Sequence, residues 1–87
     1  MKIDIMQLYT LDNQFIEETN CPPLNFTGMI EYTSGSKSWW VDGKLHRLDG
    51  PAVEYADGTK SWFIDDKQVS EKQHALLYSI MKLKGLI

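Results

Sequence analysis

An internal repeat constrains the fold of this 87-residue chain more than any other feature of its sequence. Residues 31–44 align with residues 54–67 at an offset of 23 positions, and eight of the fourteen aligned pairs are identical. Most of the other pairs are conservative, as between Trp40 and Phe63. Matches at a fixed offset are the signature of a duplicated structural unit. We therefore predict two copies of one supersecondary unit within residues 26–69.

Each copy has the pattern of a β-hairpin. Ser34-Gly35 in the first copy and Asp57-Gly58 in the second are turn dipeptides between strand-forming residues, which predicts a two-residue turn in each. A second turn is predicted at Asp42-Gly43 and at Asp65-Asp66. The run Asp49-Gly50-Pro51 joins the copies, because proline cannot continue a strand ladder. The repeats are therefore expected to run as an antiparallel meander.

Period-two alternation assigns the side chains of each copy to the two faces of the sheet. Trp39 and Trp62 each share a face with the aliphatic residue two positions on. The opposite face is polar apart from Trp40 in the first copy and Phe63 in the second. Because exposed aromatic residues often anchor interfaces, we predict that Trp40 and Phe63 lie side by side and form a binding surface. The alternative is that the N-terminal hairpin or the C-terminal helix covers them.

The N-terminal segment, residues 1–25, predicts a hairpin followed by a loop. Apolar and polar residues alternate from Lys2, which indicates a strand, and Asp12-Asn13-Gln14 is typical of a turn. Phe15 then begins a second short strand, and two prolines stiffen the loop that follows it.

The C-terminal segment, residues 70–87, predicts one helix from about Glu71 to Lys84, because Ser70 and Gln73 form a capping box before a run of apolar residues at helical spacing. Its apolar side either packs on the sheet to complete the core, or mediates dimerisation or enters a partner's groove. The predicted fold is a single β-rich α+β domain of residues 1–87, an antiparallel meander of tandem β-hairpin repeats with one C-terminal α-helix.

Composition indicates the cellular compartment of the protein. The single cysteine, Cys21, has no intramolecular partner, and the N-terminus lacks the pattern of a secretory signal. The sequence also contains no apolar run of the roughly 20 residues that cross a bilayer. We therefore expect a cytoplasmic protein that is not embedded in a membrane.

Charge makes nucleic acid an unfavoured partner. Residues 1–31 carry five acids against one base, and the net charge of the chain is −3. A phosphate-binding surface requires a dense basic stripe, which this sequence does not have. If the chain did bind nucleic acid, Lys37, Lys44, Arg47 and Lys60 would contact phosphates, and Trp40 would stack on a base.

One short cluster has the residue types of an active site. His46 can transfer protons near neutral pH, Arg47 can hold an anion, and Asp49 follows two positions later. Their place beside the turn Gly50-Pro51 favours a structural role, in which the side chains tie the turn to the next strand. With two histidines, one cysteine and no ligand spacing, no metal site and no cofactor are predicted.

The first copy also resembles a known repeat. Residues 30 to about 69 resemble the W-x-x-[ND]-G-K-x-H-R-x-D-G-P-A repeat of small tailed-phage proteins, often grouped with MORN-type repeats. The resemblance is specific in its core, which is the run Gly43-Lys44-Leu45-His46-Arg47-Leu48-Asp49-Gly50-Pro51-Ala52. The second copy has Asp66 in place of Gly43 and no H-R-x-D-G-P run, as in a terminal capping repeat. The resemblance implies a scaffold for protein contacts, found in small accessory proteins that act on the host, and some bacterial members are labelled antitoxins.

These observations favour a non-enzymatic phage accessory protein that binds and inhibits a host protein, such as a defence enzyme or a toxin, in the host cytoplasm. Two alternatives stay open: a structural module that self-associates through a sheet edge or the helix, and a small nucleic-acid-binding protein. The residues expected to contact a partner are Trp40, Phe63, Lys37, Lys60, His46 and Arg47.

Overall fold

The computed structural model describes residues 5–86, which form eight strands and one helix. The predicted start of the first strand, residues 2–4, lies outside this part of the chain. All strand pairs are antiparallel, and the order is β2-β1-β3-β4-β6-β7-β8, with β5 also paired to β4. The elements are β1 (Met6–Tyr9), β2 (Phe15–Thr19), β3 (Gly28–Tyr32), β4 (Lys37–Val41), β5 (Lys44–Leu45), β6 (Val53–Glu54), β7 (Lys60–Ile64), β8 (Lys67–Val69) and α1 (Glu71–Leu83). The predicted β-rich α+β meander with one C-terminal helix is confirmed.

The β1–β2, β3–β4 and β6–β7 hairpins share one loop type. In the two repeats this loop has three residues, so the predicted two-residue turns are wrong. In the first repeat the Tyr32 amide donates to the Ser36 carbonyl (2.9 Å) and the Gly35 amide donates to the Tyr32 carbonyl (2.9 Å), so the loop has three residues, 33–35. Tyr55 and Thr59 frame the same loop in the second repeat, with 2.8 Å between the Tyr55 nitrogen and the Thr59 oxygen. This is the three-residue hairpin loop that ends in a left-handed residue. The left-handed residues are Gly35 (φ 96°), Gly58 (φ 93°) and, in the β1–β2 hairpin, Asn13 (φ 73°).

The second turn of each repeat has the two-residue form that the sequence predicts. Asp42 and Gly43 have φ values of 50° and 79°, and Asp65 and Asp66 have φ values of 48° and 67°. Two successive residues with positive φ match the twist of the flanking strands in a type I′ turn. The turns connect β4 to β5 and β7 to β8.

Residues 43–52, which resemble the phage repeat, form a strand beside β4 that is interrupted by a large bulge. β5 pairs with the end of β4 and β6 pairs with its beginning, so both lie along the same side of β4. The His46 amide donates to the Trp39 carbonyl (3.1 Å), and the Trp39 amide donates to the Ala52 carbonyl (2.8 Å). Residues 47–51 are therefore looped out opposite a single residue. The predicted turn at Asp49-Gly50-Pro51 is part of this bulge.

The main core lies on the Trp40 face of the sheet, which corrects the prediction that this face is polar. β1 rather than β2 adjoins the repeats, and it places Leu8 opposite Ile30 on β3. Leu8, Ile30 and Phe26 form the buried cluster, and Trp40 packs against it with Met6 and Tyr32. Trp40 is thus half-buried against side chains of β1, β3 and the loop before β3, while the N-terminal hairpin lies beside the repeats in the same sheet.

The helix begins as predicted and is attached to the sheet by one side. The Ser70 hydroxyl accepts from the Gln73 amide (3.0 Å), and the Gln73 side chain accepts from the Ser70 amide (3.1 Å), which is a complete capping box. His74 is buried, and its Nε2 lies 2.5 Å from the Arg47 carbonyl oxygen, to which it donates. Within residues 5–86 no helix is long and apolar enough to cross a membrane.

Candidate functional site

A groove of about 340 Å³ opens on the Trp40 face between the two repeats. Within the described part of the chain, every side chain that lines it is uncharged. The lining combines aromatic rings, aliphatic side chains and hydroxyls, from Tyr32, Thr33, Ser34, Ser36, Ser38, Trp40, Leu45, Val53 and Tyr55. We call this surface the Trp40 groove.

The duplication builds the two walls of the groove. Tyr32 and Tyr55 are equivalent residues of the two repeats, and each directly precedes a three-residue hairpin loop. β4 lies between their strands, so two strand spacings of about 4.8 Å separate their backbones. The Ser36 hydroxyl accepts a hydrogen bond from the Ala56 amide (3.1 Å), which ties the two hairpins together. The slot between the tyrosines is therefore fixed by the backbone of both repeats.

The floor of the groove is held by a buried hydroxyl. Ser38 is only 2% exposed, and its Oγ accepts from Trp40 Nε1 (2.7 Å) and lies 3.0 Å from the Tyr32 hydroxyl. These bonds satisfy the indole N–H and restrict both rings. A surface whose aromatic side chains are already held in place loses less entropy when it binds a partner.

The predicted pairing of Trp40 with Phe63 is wrong. β4 and β7 are not neighbours, because β5 and β6 lie between them in the sheet. Leu45 on β5 stands directly opposite Trp40, while Phe63 pairs with Gln68 on β8. The aromatic companions of Trp40 at the groove are instead tyrosines from the hairpin loops. Their equivalent positions in the repeat were the sequence signal that could have found them.

Arg47 is used within the bulge. Its guanidinium stacks on the Trp39 ring at 3.8 Å and donates to the Asp49 carboxylate, the Pro51 carbonyl and the Glu54 carboxylate, each at 3.1 Å. Planar stacking and several fixed donors are the properties that distinguish arginine from lysine. Arg47 therefore closes the bulge of residues 47–51 and has two carboxylates beside its charge.

His46 is also held by its own fold. Its Nδ1 accepts from the Asp65 amide at 3.1 Å, which places the ring proton on Nε2. The Asp65 carboxylate lies 3.3 Å from the same nitrogen, but an ion pair would need a proton there and would remove this acceptor. The bond joins β5 to the β7–β8 turn. The geometry of the bulge agrees with the structural role that the sequence favours for this cluster.

Lys37 and Lys60 belong to a row of alternating charges on the face opposite the groove. Cross-strand pairing places Lys37 between Glu31 and Glu54, and Lys60 beside Glu54. Opposite charges on directly paired residues attract each other and lower the net potential of the row. From β2 to β7 the row is Glu18, Gln7, Glu31, Lys37, Glu54 and Lys60.

Other chemistry is not concentrated near the groove. Residues 5–86 contain no group of three His, Cys, Asp or Glu side chains placed to hold a metal ion. Tyr9 lies on the opposite face, where its hydroxyl donates to Gln7 at 3.0 Å and to Glu31 at 3.4 Å. Desolvation, the Glu31 carboxylate and, to a smaller extent, Glu18 raise the pKa of Tyr9.

The helix has a second apolar side that the sequence analysis did not separate from the first. Leu77, Tyr78 and Met81 are half-buried on the side of His74, whereas Leu76, Ile80 and Leu83 are exposed. The signal was the alternating spacing of four and three residues along Leu76, Ile80 and Leu83. Packing of the helix on its own sheet thus accounts for only one of its two apolar sides.

Comparisons of the chain with protein-family models, with curated proteins and with solved structures found no match. The resemblance to the phage-type repeat therefore stays a prediction from the sequence of residues 30 to about 69.

Proposed function

We propose that this chain is a non-enzymatic protein-binding module. It inhibits a host protein by binding a segment of that protein's surface in the Trp40 groove. The observation that carries the proposal is the pre-ordered, uncharged aromatic lining of that groove. Tyrosine and tryptophan supply large contact areas with few rotatable bonds and dominate the energetics of protein interfaces.

The lining also defines the chemistry of the segment that would be bound. With no charged side chain among the nine lining residues, a charged segment would lose its hydration without gaining an ion pair. An uncharged segment with apolar side chains fits between Tyr32 and Tyr55 and over Val53. Its backbone carbonyls can accept from hydroxyls such as that of Ser36, which donates no hydrogen bond to the rest of the described chain.

The class of partner comes from the resemblance to the phage-type repeat. Small phage proteins of this kind act on the host, which supports a defence enzyme or a toxin in the host cytoplasm as the inhibited protein. The alternating charge row supports a protein partner over nucleic acid, since Lys37 and Lys60 each have a glutamate directly opposite.

Affinity capture from a bacterial lysate tests the proposal, with the tagged wild type beside two variants. Tyr55→Ala removes a groove wall whose side chain is 46% exposed, so the fold should tolerate the change. Leu24→Ala is the matched control, because Leu24 is 94% exposed and lies outside the groove. We expect one dominant host protein with the wild type and with Leu24→Ala, and at least about a tenfold weaker affinity with Tyr55→Ala.

Inhibition is measured separately, as the activity of the captured protein with and without the purified chain. A captured protein that Tyr55→Ala binds as tightly as the wild type would exclude the groove as the contact surface. Full activity of the partner in the complex would contradict inhibition while leaving binding intact.

Self-association is the second candidate, and a separate observation favours it: the exposed apolar side of α1.

A further inference from the structure

The backbone beneath the Trp40 groove is already paired within the sheet. β4 pairs with β3 on one side and with β6 on the other. A segment bound in the groove therefore cannot add a strand, as it could at a sheet edge. The groups left to recognise it are the aromatic rings and the hydroxyls of the lining.

The hydroxyls of the groove are free to donate. Ser36 Oγ accepts from the Ala56 amide at 3.1 Å, and Ser34 Oγ accepts from the Ser36 amide at 3.4 Å. Neither hydroxyl donates a hydrogen bond within the described residues, and the Tyr55 hydroxyl makes none there. The groove thus offers three donors to the acceptors of a ligand.

One row of residues across the groove has an aromatic residue at each end and a hydroxyl in the middle. The Tyr32 amide bonds to Ser36 across the β3–β4 hairpin. The β4–β6 register, in which Lys37 pairs with Glu54, places Ser36 opposite Tyr55 when it is continued by one residue. The two tyrosine backbones are therefore about 9.6 Å apart, which is two strand spacings. A polyproline II helix advances about 9.3 Å in each turn of three residues.

We propose that the occupant of the Trp40 groove is a proline-containing segment in the polyproline II conformation. It lies across the strands, with prolines at positions i and i+3 against Tyr32 and Tyr55. The inference rests on the proposed function, because it names the kind of host segment that the groove binds. Polyproline II has no internal hydrogen bonds, so its carbonyls are free to accept from the hydroxyls of Ser36 and Tyr55. Segments of this kind dock on aromatic-lined grooves.

A helix and an ordinary extended strand satisfy the groove less well. The carbonyls of a helix accept within the helix, so the free hydroxyls would gain no backbone acceptor. An extended strand carries an N–H at each residue, and an N–H that meets no acceptor in the groove loses its hydration. Proline has no N–H to leave unpaired.

Titration of the full chain with two uncharged peptides of equal length, followed by NMR, tests the proposal. One peptide repeats Pro-Ala-Ala and the other repeats Pro-Ala-Ala-Ala. We expect chemical-shift changes at the groove, with a dissociation constant of about 1 mM or less for the Pro-Ala-Ala peptide and at least about threefold weaker binding of the other. Equal affinities, or no shift changes at about 5 mM peptide, would overturn the proposal.

Three variants locate the binding of the Pro-Ala-Ala peptide. Tyr55→Ala should weaken it at least about fivefold, and Tyr55→Phe, which keeps the ring and removes only the hydroxyl, should weaken it less. Leu24→Ala is the matched control and should bind as the wild type does, because Leu24 is exposed outside the groove. Thermal unfolding confirms that each variant is folded. An affinity that Tyr55→Ala leaves unchanged would contradict the proposal.

Hydrogen exchange on the complex with the captured host protein separates this inference from the proposed function. We expect the host segment that becomes protected to contain two prolines at i and i+3. A partner that depends on Tyr55 but is protected at a segment without such a pair would leave the proposed function standing and overturn this inference. Peptide binding at the groove with no host protein captured would support the ligand class and contradict the inhibitory role.

Discussion

At the scale of single residues, a buried hydroxyl determines the shape of the Trp40 groove. Ser38 is buried between two aromatic side chains and is a hydrogen-bonding partner of both. Its equivalent in the second repeat, Ser61, makes no side-chain hydrogen bond within residues 5–86. The same residue type therefore has different roles in the two copies, because the second copy has Phe63, which carries no N–H group, where the first has Trp40.

Replacement of Ser38 by alanine should destabilise the protein. Ser38→Ala leaves the indole N–H of Trp40 without its acceptor, and an unpaired buried donor costs about 1–3 kcal/mol. Urea denaturation measures the change in the free energy of unfolding. Ser61→Ala is the control and should stay within about 0.5 kcal/mol of the wild type. Equal losses in the two variants would show that the hydrogen bonds of Ser38 contribute nothing specific.

Gly43 is required by a close backbone approach, and its positive φ is not the main reason. Asp66 occupies the equivalent turn position with φ 67°, so a residue with a side chain tolerates that conformation. At Gly43, however, an added Cβ would stand 2.2 Å from the Leu24 carbonyl oxygen, a distance that real Cβ atoms do not reach. The loop before β3 crosses the first repeat at this turn.

Asparagine tolerates positive φ, so the turn conformation alone would make Gly43→Asn a mild change. Because of the close approach to Leu24, the variant should be destabilised more than that. We expect a loss of more than about 1 kcal/mol in the free energy of unfolding, since the Leu24 backbone must shift. Asp66→Asn is the matched control, because it keeps a side-chain oxygen able to accept from the Leu45 amide, as Asp66 does at 2.6 Å. Thermal unfolding of both variants gives the comparison, and similar melting temperatures would argue against the close approach.

At the scale of elements, the two repeat hairpins use one loop geometry with different side-chain chemistry. In the second repeat the Asp57 carboxylate accepts from the Thr59 hydroxyl (2.7 Å) and from the Thr59 amide (3.0 Å). In the first repeat the Ser34 hydroxyl takes this place and accepts from the Ser36 amide at 3.4 Å. Only the second loop therefore contains a titrating group at this position.

The second hairpin loop should lose stability in acid. Hydrogen bonds from the Thr59 side chain and backbone hold the pKa of Asp57 below its ordinary value of 3.8. A group whose pKa is lower in the folded state stabilises the protein above its unfolded pKa, and that contribution disappears as the pH falls through the folded value. The quantity to compare is the free energy of unfolding of Asp57→Asn minus that of the wild type. This difference should thus be lower at about pH 6 than at about pH 2.5.

Ser34→Asn is the control for this experiment, because it changes the equivalent residue without adding or removing a titrating group. Its difference from the wild type should be the same at both pH values. A pH-independent difference for Asp57→Asn as well would contradict the linkage.

At the scale of the whole molecule, the protein is elongated, with extents of 46 × 24 × 19 Å, and the two proposed contact surfaces lie on different elements. The Trp40 groove belongs to the sheet, and the exposed apolar side chains Leu76, Ile80 and Leu83 belong to the C-terminal helix.

The charge row should prevent strong binding to nucleic acid. Lys37 and Lys60 each face Glu54, and Arg47 also bonds its carboxylate, so these bases already have acidic neighbours. We expect no change in the fluorescence anisotropy of a labelled single-stranded DNA at micromolar protein and low salt. Affinity that falls steeply with added salt and with Lys37→Ala would instead support counterion release and the nucleic-acid alternative.

The sequence alone determined the local features of this protein. The turns at Asp42-Gly43 and Asp65-Asp66 and the capping box at Ser70 could be predicted, because each depends on residues close together in the chain. The repeat could be predicted because its two copies match at a fixed offset of 23 residues.

Tertiary structure decided what these elements do together. The pairing of β1 with β3 placed the core on the Trp40 face, and β5 and β6 separated Trp40 from Phe63. It also decided which of the two apolar sides of α1 meets the sheet. The physical reason is that strand order and helix docking depend on burial between distant segments, for which local spacing leaves several equally good solutions.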